Sequence, residues 1–102
     1  MRKIKIILAL LIIINSNFSY AEVTKGGHFA CLSEDLFDQI TSASVSNDKN
    51  AVQYLIGHGC VISKPNIQLT VLDRTWTGKV KARVYLGDSA LVLWMAKENV
   101  VD

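Results

Sequence analysis

The chain has 102 residues, with eleven Lys and Arg against nine Asp and Glu, two histidines and two cysteines. Three of the basic residues fall within the first five positions, so residues 22 to 102 hold eight basic against nine acidic groups, a formal charge of −1. That balance lacks the basic run a phosphate-backbone binder needs, so no nucleic-acid partner is expected, and the length allows one domain with a small core, a size at which natural folds commonly add a crosslink.

The N-terminus is built for export. Arg2, Lys3 and Lys5 precede an unbroken apolar run, IILALLIII, from Ile6 to Ile14, and polar Asn15, Ser16 and Asn17 follow it. A basic start, a short apolar core and small residues at Ser19 and Ala21 predict a signal peptide over residues 1–21, cleaved after Ala21. The run falls short of the roughly 20 apolar residues a membrane-spanning helix needs. An uncleaved anchor is the alternative, and the small residues at the cleavage positions argue against it. The expected location is periplasmic or secreted, with no stable membrane insertion after cleavage.

Residues 22–30, EVTKGGHFA, hold two glycines and no sustained period, and are expected to form a flexible arm. Ser33 then suits a helix N-cap, with Glu34 and Asp35 favoured by the positive end of the helix, and Leu32 and Phe37 are placed as a hydrophobic staple. Leu36, Phe37, Ile40 and Ala43 or Ser44 share one helical face. The turn formers in SASVSNDKN break the pattern, Asn47 or Asp48 can cap a second helix, and Ala51, Val52, Leu55 and Ile56 form its buried face. Gly57 and Gly59 stop that helix, one of them in the left-handed conformation. Residues 31–59 therefore read as a helical hairpin.

From Val61 the period changes to two, which predicts β-structure over residues 60–102. Ile67, Leu69 and Val71 alternate with polar residues, as do Val80, Ala82, Val84 and Leu86. Gly87-Asp88 suits a tight hairpin turn, Ala90 to Ala96 is the returning strand, and the loop DRTWTGK, 73–79, ends in a turn at Gly78. Val61-Ile62 is a possible first strand. Three or four short strands in meander order, closed as a small barrel, complete an α+β domain.

Two stretches carry a resemblance. AVQYLIGHGC resembles the second helix of an ankyrin repeat and its glycine stop, over about one unit. The run IQLTVLDRTWTGKVKARVYLGDSALVLWMAKENV, residues 67–100, resembles bacterial SH3-like domains, in which a strand ending near VLD leads through a loop to a VKVR-type strand, a tight hairpin and a strand bearing a tryptophan. The complete plan resembles small exported bacterial proteins of unknown function. It implies a helical hairpin packed on an SH3-like barrel or meander, and a binding module.

Histidine and cysteine occur in two tight pairs, His28 with Cys31 and His58 with Cys60. A tetrahedral Cys2His2 zinc site from these four residues is the minor alternative. Export favours a Cys31–Cys60 disulfide instead, because an oxidising compartment consumes paired thiols. Closing that loop stabilises the chain by roughly 3 to 4 kcal/mol in the chain-entropy account. Cys31 precedes the first helix and Cys60 follows the second, so the bond would clasp the hairpin's open end.

No catalytic centre is expected. Cysteines committed to a disulfide supply no nucleophile, His58 between glycines reads as a surface residue, Glu34, Asp35 and Asp38 belong to a helix start, and Asp73 and Asp88 belong to turns. No phosphate-cradling glycine loop, G-x-S-x-G or H-E-x-x-H is present, and no cofactor is expected. The candidate binding surface comprises Arg74, Trp76, Lys81, Arg83 and Tyr85, since aromatic and arginine side chains are common anchors. The competing expectation for Trp76 is that it folds back and caps the barrel's end, while Trp94 is expected in the core. The function expected is recognition of a protein, peptide or cell-wall component in the envelope. Two other roles compatible with the sequence are an inhibitor or immunity-type protein and a structural subunit.

Overall fold

A computed structural model describes residues 22–102, and the expected signal peptide lies outside the described residues. The period-two segments form the centre of the molecule: β4 (Gln68–Arg74), β5 (Lys79–Leu86) and β6 (Ser89–Ala96) pair in antiparallel sequence. Around this meander stand β1 (Glu22–Thr24), β2 (Phe29–Cys31), β3 (Cys60–Ile62) and β7 (Val100–Val101), giving a seven-stranded sheet ordered β3-β2-β6-β5-β4-β1-β7. Two helices, α1 (Glu34–Val45) and α2 (Lys49–Leu55), are inserted between β2 and β3. The fold is α+β.

Residues 22–30 do not form the expected arm. β1 lies between β4 and β7, pairing Glu22 with Leu69 and Val23 with Val101, and β2 lies between β3 and β6. Three-residue strands are too short to display a period of two, so these were invisible to patterning. Tertiary partners define them instead: Thr24 is buried, its Oγ1 donating to the Lys64 carbonyl and accepting from the Ile67 N–H. The β-region likewise holds more than the expected meander, since the chain turns through a 3-10 helix, Lys97–Asn99, before β7.

Alternation along β6 separates two cores. Leu93 and Met95 face an inner cluster with Ala30, Leu69, Val80, Ala82 and Val84. Trp94 and Ala96 face the other way, against the helical cluster of Phe37, Ile40, Leu55 and the two cysteines. Trp94 is thus partly buried in the helix–sheet layer, and bulk inside the sheet comes from Leu69, Leu93 and Met95. A strand covered on both faces needs apolar residues at both parities, and the second half of β6, VLWMA, supplies them.

The helices follow their sequence signals. Ser33 accepts a hydrogen bond from the Leu36 N–H, and Asp48 from the Ala51 N–H. Asn47 sits at φ +61° between the helices, and Gly57 and Gly59 at φ +95° and +113° end α2. At Gly59 the left-handed conformation favours glycine, and a Cβ there would fall 2.5 Å from Leu36 Cδ1, so that side chain would have to shift.

The Asn99 side chain ties the termini of the sheet together. It is fully buried, its Oδ1 accepting from the Gly26 N–H at 3.0 Å and from Ser63 Oγ at 3.2 Å, its Nδ2 donating to Met95 Sδ. One amide thus joins the β1–β2 link, the segment that follows β3 and the end of β6.

Candidate functional site

The Cys31–Cys60 disulfide is present, with an S–S distance of 2.09 Å. Cys31 lies directly opposite Cys60 across β2 and β3, and the flanking bonds Ser63 N–H to His28 O and Leu32 N–H to Gly59 O place the pair in the non-hydrogen-bonded register. Side chains approach most closely there. The bond closes the base of the helical insertion and is buried in the layer between helices and sheet.

The two histidines go elsewhere. His58 is exposed, stacked on Tyr54 with ring centroids 4.1 Å apart, and its Nδ1 lies 2.6 Å from the Tyr54 carbonyl. A carbonyl only accepts, so Nδ1 carries the proton. His28 lines a groove with Trp76. Each sulfur is bonded to the other, and among the described residues no three His, Cys, Asp or Glu side chains are grouped to hold a metal ion.

The groove that takes His28 has a volume of about 610 Å³ and runs between α1, the β4–β5 turn and the 3-10 helix. Phe29, Phe37 and Ala96 form its apolar floor, Val45 stands on one wall, and Trp76 stands on the other. Trp76 does not cap the sheet: it is 96% exposed. The turn explains why. Thr75 N–H bonds to the Lys79 carbonyl, and Thr75 Oγ1 accepts from the Lys79 N–H at 3.0 Å. Gly78 closes the turn at φ +92°. Trp76 is left on a three-residue tip with no cross-strand neighbour to fold against.

Lys79 braces this wall to the helix. Its Nζ lies 2.7 Å from Glu34 Oε2 and 3.0 Å from Asp38 Oδ1. The hydrogen bond to Glu34 and then that to Asp38 raise its pKa above the usual lysine value, outweighing desolvation. Asp38 is therefore more than a helix-start carboxylate. Its i, i+4 spacing from Glu34 puts both on one face of α1, a signal available in the sequence, whereas the identity of the cation was not.

The structure divides the expected binding surface. Trp76 and the start of β5 lie at the groove, but Tyr85 is six residues along β5 from Lys79, about 20 Å at the rise of a strand. There the Tyr85 hydroxyl is 2.9 Å from Thr70 Oγ1. That hydrogen bond lowers the phenol's pKa and nearby Arg83 adds to it, against an opposing desolvation. Lys81 stands between the two ends, opposite Trp94. Arg74 turns back toward Glu22 at 3.4 Å. Residues that patterning missed at the groove are His28, Val45, Lys79 and Lys97, which come from four separate elements or links.

Comparison with protein-family models, with curated proteins and with solved structures returns no match for this chain.

Proposed function

We propose that this chain is a small exported, non-catalytic binding module of SH3-like type that recognises a peptide or another cell-envelope component. The observation that carries the reading is the groove in which a fully exposed indole faces a helix across an apolar floor. Tryptophan is enriched among the residues that anchor binding interfaces, and here it stands beside a concave apolar surface. The three-strand meander, with the first and last strands side by side, supports the SH3-like reading. The basic N-terminal segment and the disulfide support export.

A groove with one aromatic wall, an apolar floor and charged residues of both signs at its edges suits an extended segment with an apolar side chain at Trp76. Asp38, Lys79, Lys97 and Glu98 are placed to meet its polar groups. Capture from envelope extracts tests this directly. Peptide or wall fragments should be enriched on the parent protein and lost on Trp76→Ala, and unchanged enrichment would remove the groove from consideration.

A second reading rests on the same tryptophan. Its position at the tip of a tight turn also suits insertion into a partner's cavity, as an inhibitor or immunity-type protein would require. A single stoichiometric protein partner in the capture experiment, without wall fragments, would favour it.

A further inference from the structure

The inner core opens to solvent through a second cleft of about 560 Å³, lined by β2, β3 and the β5–β6 hairpin. Leu32 and Val61 form one lip, Leu86 and Leu91 the other, and these four side chains are between 44% and 55% exposed. Val84 and Leu93, both members of the inner core, form the floor. The apolar surface is thus continuous from the rim to the interior. No helix covers it, since α1 and α2 pack on the opposite face of the sheet.

The polar inventory of this cleft is short. Its lining side chains with polar atoms are Thr24, Ser63 and Lys64. Thr24 is committed to the Lys64 carbonyl and the Ile67 N–H, and Ser63 donates to Asn99. Lys64 makes no ion pair among the described residues. A ligand therefore meets a continuous aliphatic surface and one uncommitted cation.

We propose that this cleft binds a fatty carboxylate, its aliphatic chain between the Leu32–Val61 and Leu86–Leu91 lips and its carboxylate at Lys64. The lining argues against other occupants. The lining side chains offer a peptide's backbone N–H and C=O groups no free partner, so a peptide would have to pair with the open edge of β3 instead of lying along the aliphatic lips. A second copy docking the same patch would bury two Lys64 ammonium groups with no carboxylate in either lining. A single-chain amphiphile has one charged group and an otherwise apolar surface, which matches this inventory.

The test is titration of the ¹⁵N-labelled chain of residues 22–102 with dodecanoate and, separately, dodecanol, each kept below its aggregation threshold. Saturable amide shifts at Leu32, Val61, Leu86 and Leu91 are expected with dodecanoate. Lys64→Gln should weaken dodecanoate by roughly tenfold, the scale of one charge-assisted bond, and leave dodecanol unchanged. Leu91→Gln, at an exposed rim position, should weaken both. Absence of saturable shifts overturns the proposal, as do shifts confined to the Trp76 groove or a Lys64→Gln variant that binds dodecanoate normally. Concentration-dependent dimerisation that protects the same four residues without ligand would assign the cleft to a second copy instead.

Discussion

Replacing Cys31 and Cys60 together by alanine tests how the helical insertion is held. The crosslinked positions are 29 residues apart, and closing a loop of that size removes roughly 3 to 4 kcal/mol of conformational entropy from the unfolded chain. A domain of this size has a total stability of about 4 to 12 kcal/mol at typical per-residue values. Loss of the bond should therefore remove roughly a quarter or more of it. Because the sulfurs are buried between Phe37, Ile40 and Leu55, alanine also leaves small voids that add to the cost. Urea denaturation followed by circular dichroism gives both quantities. The midpoint should fall and the m-value should rise, since an unfolded chain without the crosslink exposes more surface. Thiol titration of the denatured, unreduced parent should find no free cysteine. A double variant within about 1 kcal/mol of the parent would refute the entropic account, and two reactive thiols in the parent would refute the bond itself.

Asn99→Ala strands the Gly26 N–H and the Ser63 hydroxyl in a buried site, and should cost about 2 to 4 kcal/mol by denaturation. Gly26→Ala places a Cβ 2.8 Å from the Pro65 backbone nitrogen at φ +93°. It should destabilise clearly more than Gly27→Ala, where φ is +80° but the space is open and only the left-handed penalty of about 1 to 2 kcal/mol applies; equal losses would mean that the Pro65 contact relaxes freely. The raised pKa of Lys79 stabilises the fold at pH values below the ordinary lysine value of 10.5. The stability gap between the parent and Lys79→Gln should hold there and close as pH rises through the folded pKa. Tyr85 works in the opposite direction: a phenol held below its ordinary 10.0 stabilises the fold above that value and loses the contribution as pH falls through the folded pKa. Thr70→Val should move the Tyr85 titration upward, as read by NMR.

Local chemistry made the helices and the meander legible. Ser33 and Asp48 cap because a short side-chain oxygen reaches an orphan N–H wherever the chain enters a helix. Gly57 and Gly59 end α2 because left-handed backbone excludes most other residues. The apolar positions of β5 were readable because Val80, Ala82 and Val84 alternate with more exposed neighbours, as Leu69 and the half-buried Val71 do in β4, and the cysteine pairing was readable because the chain's two cysteines flank one hairpin, so each has a single partner. β1 and β2 were not legible, being too short for a period and defined only by Leu69, Val101, Met95 and Trp94 across from them.

The site divides along the same line. Trp76 could be singled out from its loop, but whether it capped the sheet or faced solvent depended on the turn bonds of Thr75 and on what stood nearby. Its separation from Tyr85 followed from their places at opposite ends of β5. The groove itself arises where α1 swings over the sheet, so that His28, Val45, Lys79 and Lys97 meet. Periodicity, caps and crosslinks act between residues near in sequence, or through a covalent bond, and sequence alone expresses them. Non-local pairing depends on the free energy of the assembled sheet and helices, so only the tertiary structure decided which distant side chains share a surface.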